Sequence, residues 1–266
     1  LAMSYFNITA EYLRGNGKLV NYSFLNIAVG TLSIILSVLF LKIFHLGVSG
    51  LLLVYAFSYA ISVFLAQLLY RPYRINEKDD TTIKKLLHYS IPLIPNNISW
   101  WVTNVSDRTL INLILGSFYN GVYAICCKIP TMLSLLFGIF NLSFQQVALQ
   151  NVSPSERKPY FNQLIKNIIK LLFSGSIMIV AFTPIIYHLF LDEGYWSGIN
   201  CVPILICGAV FLSIAQYLGD ILLVKMKTKA IGGSTICAAI INILLNLIAI
   251  PVFGLLGASL ATMISY

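Results

Sequence analysis

Apolar runs of about twenty residues, separated by short polar punctuation, fill most of this chain. A helix needs roughly 20 apolar residues to cross a hydrocarbon core. Runs of that kind fall near 20–44, 47–70, 89–115, 119–146, 168–190, 199–224 and 230–252. An eighth opens at Gly254 and stops at Tyr266, where the sequence stops. The first residues, LAMSYFNITAEYLRGNG, read as the tail of a span followed by a loop. The expected fold is therefore all-α, a polytopic membrane helix bundle of about eight transmembrane helices with the last one cut short.

Composition fixes the solvent. The 266 residues are 58% hydrophobic and 10% charged, whereas a soluble domain carries about 25% charged residues. So few charges cannot cover a water-facing surface, so the surroundings must be lipid. The net charge of +8 does not point to nucleic acid, which needs a basic patch on one folded face. Here the basic residues punctuate the apolar runs instead. Arg14 and Lys18 precede the first span, and Arg71, Arg74, Lys78, Lys84 and Lys85 follow the second. Arg157, Lys158, Lys166 and Lys170 follow the fourth, and Lys225, Lys227 and Lys229 the sixth. These are alternate connections, and the others are short and nearly uncharged, or acidic at Asp192 and Glu193. By the positive-inside rule the basic loops are cytoplasmic, in a multi-pass protein of the cytoplasmic membrane. The five cysteines fall mostly within apolar runs without CxxC or metal-ligand spacing, and read as small buried hydrophobes.

The connection RPYRINEKDDTTIKKLLHYSIPLIP is the longest polar interruption. Its middle, 81–87, is either a short amphipathic helix on the membrane surface or a solvated loop. Around it the sequence echoes itself. LGVSGLLLVYAFSY (46–59) and FGLLGASLATMISY (253–266) match Gly47 to Gly254, Gly50 to Gly257 and Ser58-Tyr59 to Ser265-Tyr266 at one offset. Each copy follows an apolar span and a basic loop, so the two run the same way through the membrane, as in transporters built from parallel repeats. The expected organisation is 1–70 as the last two helices of an N-terminal lobe, 71–88 as a cytoplasmic linker and 89–266 as a C-terminal lobe incomplete at its end. On that reading the sequence is a piece of a longer chain with further spans ahead of it.

Charged and amide side chains within the spans are the candidate chemistry, since a charge at the bilayer centre costs about 2.5–3.5 kcal/mol on insertion scales. In the third span Asn97, Trp101, Asn104, Arg108 and Asn112 share a stripe about 80° wide, with Asp107 and Trp100 on its flank. If the next turn is centred near Phe118, Arg108 and Lys128 lie at one depth of an antiparallel hairpin, and Pro130 bends the second helix beside them. Two readings follow: an ion-pair cluster of Asp107 with Arg108 or Lys128 that fixes the hairpin, or the wall of a net-cationic cavity for an anionic ligand. In the sixth span Ser213, Gln216, Tyr217 and Asp220 recur on one face. Asp220 is a candidate for binding a coupling ion, H+ or Na+, or for pairing with Lys225 or Lys227. No catalytic or nucleotide-binding motif accompanies these residues, so an enzyme is not expected, and no cofactor beyond a coupling ion.

Residues 88–150 carry a resemblance. PLIPNNISWW, SDRTLI with Gly116, GVYA, KIP and FNLSFQQ resemble the centre of lipid-linked oligosaccharide flippases of the Wzx type, in the multidrug/oligosaccharidyl-lipid/polysaccharide exporter superfamily. The resemblance implies two helical lobes around a central cavity, alternating access and ion coupling in a bacterial inner membrane. The implied substrate is an undecaprenyl-diphosphate-linked oligosaccharide for surface polysaccharide such as lipopolysaccharide O-antigen. Membrane lipids, a glycan polymerase and assembly proteins are the implied partners. Asp107, Arg108 and Lys128 are the positions that carry over as cavity residues, beside Asn97, Trp101, Asn104 and Asn112. A peptidoglycan-precursor flippase or a drug/cation exporter of the same superfamily is the alternative. A membrane-embedded glycan polymerase fits less well, because the outward loops are short and GYWSGINC is the longest.

Overall fold

The structure, a computed structural model, describes residues 2–70, 80–150 and 157–266, and all regular structure among them is helical. In lipid each backbone N–H and C=O must be satisfied within its own segment, which a helix does and an open strand does not. Six helices among the described residues are long and apolar enough to cross a membrane: Leu19–Ile43, Gly47–Leu68, Ser117–Asn141, Phe161–Phe190, Cys201–Val224 and Thr228–Phe253. The expected third span is helical too, but its amides and charges leave it too polar for that set. The expected eighth is an 11-residue helix. The chain divides into two compact units, Leu1–Asp79 and Asp80–Tyr266.

The first unit packs α1 (Ala2–Gly15), α2 (Leu19–Ser37) and α3 (Gly47–Tyr70) against one another. The sequence gives two helices here; the third, α1, arises because the expected tail stays helical to Gly15. Phe6, Ala10 and Leu13, spaced along one face of α1, are buried with Leu25 of α2 and Ala66 of α3. The Phe6 ring meets Tyr59 edge-on at 5.4 Å between centroids. α2 ends in a π-helical turn, Val38–Ile43, that carries Lys42. The linker positions Arg71, Arg74 and Lys78 lie outside the described residues.

The second unit comprises α4 (Asp80–Ser90), α5 (Leu93–Ile114), α6 (Ser117–Cys126), α7 (Lys128–Gln150), α8 (Arg157–Phe190), α9 (Cys201–Val224), α10 (Thr228–Phe253) and α11 (Leu255–Ser265). A 3₁₀ turn, Glu193–Gly198, joins α8 to α9. Proline stands third in α5, α7, α8 and α9, at Pro95, Pro130, Pro159 and Pro203. In the first turn its missing N–H has no partner to lose. Ahead of Pro130 this divides the expected fourth span into α6 and α7 at Cys127, because the ring displaces the carbonyl four residues earlier. α8 starts well before its apolar run, so Lys166 and Lys170, expected in a loop, are exposed on a helix.

α9 is the centre of this unit. Its buried residues include Val202, Ile206, Ala209, Ser213, Tyr217 and Asp220, and it packs on α7, α8 and α11. Phe144 of α7 lies 4.8 Å from the Tyr217 ring and 5.6 Å from that of Phe161 in α8. The Tyr217 hydroxyl donates to the Phe161 carbonyl at 2.9 Å. α5 and α10 pack along each other, and α10 doubles back into α11.

The sequence echo has a backbone counterpart. Gly47 and Gly254 both open a helix in the left-handed region, with φ of +57° and +59°. Gly50 and Gly257, three residues on, both lie close against the preceding segment. A Cβ at Gly50 would approach Leu46 Cβ at 3.0 Å and Leu41 Cδ2 at 3.3 Å, whereas one at Gly257 would run into the Ala249 carbonyl. The contacts at Gly50 are at the edge of the tolerated range and the Leu41 end can turn aside, whereas the Ala249 carbonyl is backbone and lies far closer than that range allows. Gly257→Ala should therefore destabilise the protein by about 1–3 kcal/mol and Gly50→Ala by less. Thermal unfolding of the purified variants in detergent measures both, and equal losses would contradict the difference.

Candidate functional site

Asp107 sits on the face of α5 that meets α10 and α11. Ser99, Thr103, Asp107 and Ile111 recur every four residues and are the buried residues of this helix. The small side chains at 99 and 103 let α10 come close. Across from them, a Cβ on Gly232 of α10 would lie 2.5 Å from the Pro92 carbonyl.

The Asp107 carboxylate accepts hydrogen bonds from Asn246 Nδ2 of α10 at 2.6 Å (Oδ1) and from Thr262 Oγ1 of α11 at 2.8 Å (Oδ2). Asn246 also donates to Asn242 Oδ1 at 3.1 Å, and Asn242 to Ser265 Oγ at 3.4 Å. The Tyr123 hydroxyl of α6 lies 3.3 Å from Thr262 Oγ1. Asn242 and Asn246 have no exposed surface and Asp107 has 6%. Asn246 Oδ1 is buried without a hydrogen-bond partner. Neutral donors thus hold the Asp107 carboxylate, which disfavours the reading of an ion-pair cluster with Arg108 or Lys128.

A cavity of about 240 Å³ opens beside this network, bordered by Asn104, Asp107 and Arg108 of α5 together with Tyr123, Thr131 and Ser134. Arg108 is exposed at its wall while Asp107 is buried. A second cavity, about 670 Å³, is lined by Asn97, Trp100, Asn141, Gln216 and Asp220. Asp220 also acts on Tyr89 of α4: burial first, then the negative charge of Asp220, pushes the Tyr89 hydroxyl above its ordinary range.

The expected stripe is thus divided. Asn104 and Arg108 share the first cavity with Asp107, and Asn97 lines the second. Trp101 is 65% exposed beside an apolar groove with Val105 and Ile243. Asn112 is exposed and lines neither cavity. Lys128 is exposed outside the first cavity, although its neighbour Cys127 lines it. The reason lies in the turn, which falls at Gly116 (φ +97°) rather than at Phe118. Arg108 and Lys128 are therefore not equidistant from it. Asn242, Asn246, Thr262 and Ser265 escaped the sequence reading. Two asparagines four residues apart in an otherwise apolar span were the available signal. Among the described residues no group of three or more His, Cys, Asp or Glu stands together as a metal site.

No family model matches the sequence. An uncharacterized membrane protein of Methanocaldococcus jannaschii is 26% identical over 183 residues, which are 68% of this chain and 42% of that protein. The crystal structure of a MATE point mutant superposes with a TM-score of 0.84 at 14% identity, covering 99% of this chain and 63% of that one. An outward-facing multidrug resistance MATE family transporter of the MOP superfamily gives 0.80 at 16% identity, covering 98% and 62%. The chain thus spans less than half of the curated relative and under two thirds of these transporters, and its fold is theirs: a polytopic helical membrane bundle.

Loss of a hydrogen bond to a buried charge is costly, about 1.5–3 kcal/mol. Asn246→Ala and Thr262→Val should each destabilise the protein by that order. In the Asp107→Asn background, where the charge is gone, each loss should shrink. Equilibrium unfolding in mixed detergent tests this, and undiminished losses in that background would contradict the network.

Proposed function

We propose that this protein belongs to an ion-coupled exporter that moves an anionic, lipid-linked oligosaccharide across the membrane by alternating access. The observation that carries this reading is the sorting of two adjacent charges. Asp107 is turned inward and held by Asn246 and Thr262, while Arg108 is exposed on the cavity wall beside Asn104. The charge offered to a ligand is then positive, and a guanidinium suits a diphosphate or an acidic sugar through paired charge-assisted hydrogen bonds. Asn104, Thr131 and Ser134 add hydroxyl and amide groups of the kind sugars bond to. The fold likeness to MATE transporters supports export, and the basic connections support a cytoplasmic starting side.

The coupling ion expected at Asp220 has a better-built home at Asp107. A buried carboxylate, a threonine hydroxyl and asparagine carbonyls, one of them without a partner, form a set of hard oxygen donors. Such a set suits H+ or Na+. A second reading, export of cationic drugs, is favoured by Asp220 in the larger cavity, since an acid there attracts a cation.

In the full-length protein Arg108→Ala should cut surface glycan display at least about tenfold, with Arg108→Lys retaining part of it. Unchanged display for Arg108→Ala would overturn the cargo, and loss of drug export in Asp220→Asn would favour the second reading. Asp107→Asn keeps shape but removes charge, so transport into proteoliposomes should lose its response to an imposed pH or Na+ gradient. An undiminished response would remove Asp107 from coupling.

A further inference from the structure

A third cavity, about 730 Å³, lies between α4 and the turn joining α9 to α10 and shares no lining residue with either cavity described above. It is lined by Lys84, Lys85, His88, Tyr89, Lys227 and Lys229, among others, and no carboxylate is among its described lining residues. All four lysines are exposed. The sequence separates the two pairs by more than 140 residues, so their convergence on one cavity is a product of the fold.

Two features mark the cavity as built. The α9–α10 turn closes with Lys227 N–H donating to the Leu222 carbonyl and Met226 N–H to Leu223, and this places Met226 at φ +58°. Glycine usually takes that position. Here an L residue holds the strained turn that carries Lys227 and Lys229. On α4, Ile83, Leu86 and Leu87 share an arc of about 100° and are exposed, while Lys84, Lys85 and His88 occupy the opposite side. A helix with an exposed apolar face and a basic face lies in the plane of a membrane interface, at headgroup depth. The Tyr89 hydroxyl, pushed above its ordinary range by burial and by Asp220, stays a neutral donor at the rim.

We infer that this cavity is a binding site for the phosphate headgroup of an anionic bilayer phospholipid, with α4 as its interfacial anchor. Four ammonium groups offer only donors and a phenol adds another, while a phosphate diester offers only acceptors at neutral pH. The charge match excludes zwitterionic headgroups as preferred occupants, because their amine would face the lysines. The inference does not rest on the proposed cargo or coupling ion and would hold for any transporter with this arrangement.

The test is native mass spectrometry of the purified full chain in detergent doped with equal mole fractions of phosphatidylglycerol and phosphatidylcholine. The wild type should retain phosphatidylglycerol in preference by about tenfold or more. Replacing Lys84, Lys85, Lys227 and Lys229 together by Gln should abolish the preference, and replacing them by Arg should keep it. Lys166→Gln with Lys170→Gln, on exposed positions of α8, should also keep it. Because the four lysines are exposed, the Gln variant should keep its melting temperature, which is measured alongside. Retention of the preference in a folded Gln variant would overturn the inference. So would occupation by added undecaprenyl diphosphate without any retention of phosphatidylglycerol, which would make the cavity a cargo site.

Discussion

A carboxylate buried in an apolar bundle must be supplied with donors, and at Asp107 that requirement decides how α5, α10 and α11 meet. An unpaired ion in such surroundings is prohibitive. Asn246 and Thr262 therefore have to reach it from two helices at once. They can do so because the approach is lined with small residues: Ser99 and Thr103 on α5, Gly232 on α10, and Gly257, Ala258 and Ala261 on α11. The apolar packing around α9 then has fixed walls to fill. Polar satisfaction sets the geometry here, and the greater buried apolar area accommodates it.

The same economy runs through the rest of the bundle. Several buried serine and threonine hydroxyls outside the network return to their own helix, as Thr103 does to Ser99, Ser176 to Leu172, Thr183 to Ile179 and Ser213 to Ala209, each a bond to the carbonyl four residues back. Pro95, Pro130, Pro159 and Pro203 sit in first turns, where no backbone bond is lost. Pro184 and Pro251 instead lie inside α8 and α10. Pro251 stands just ahead of the Gly254 turn, so α10 loses a backbone bond close to where the chain reverses into α11.

Apolar length made most helices legible, and the glycine echo made the starts of α3 and α11 legible to the residue, because positive φ and close approach leave few alternatives to glycine. The face of α5 that turns inward was not legible. Periodicity grouped Asn97, Trp101, Asn104, Arg108 and Asn112 on one side, but it cannot tell a side that meets another helix from a side that meets a cavity. What decides is the partner, and the partners of Asp107 stand 139 and 155 residues along the chain. The expected equal spacing of Arg108 and Lys128 about the turn rested on a turn placed two residues late.

Adjacent residues on a helix are rotated by about 100°, and this is how the α5 pair of opposite charges avoids neutralising itself. Side by side in sequence, Asp107 and Arg108 both border the first cavity, but Asp107 is buried in an amide and hydroxyl cage while Arg108 is exposed. Had they been four residues apart, they would have faced each other and formed an ion pair with little net field. Set one apart, each keeps its charge for a separate partner while the shared backbone holds the two partners at a fixed distance. On the proposed function, any rotation or tilt of α5 that accommodates a ligand at Arg108 must also move Asp107 against Asn246 and Thr262. Coupling between the cavity and the buried carboxylate therefore needs no relay of intervening residues, because one helical turn of α5 carries both.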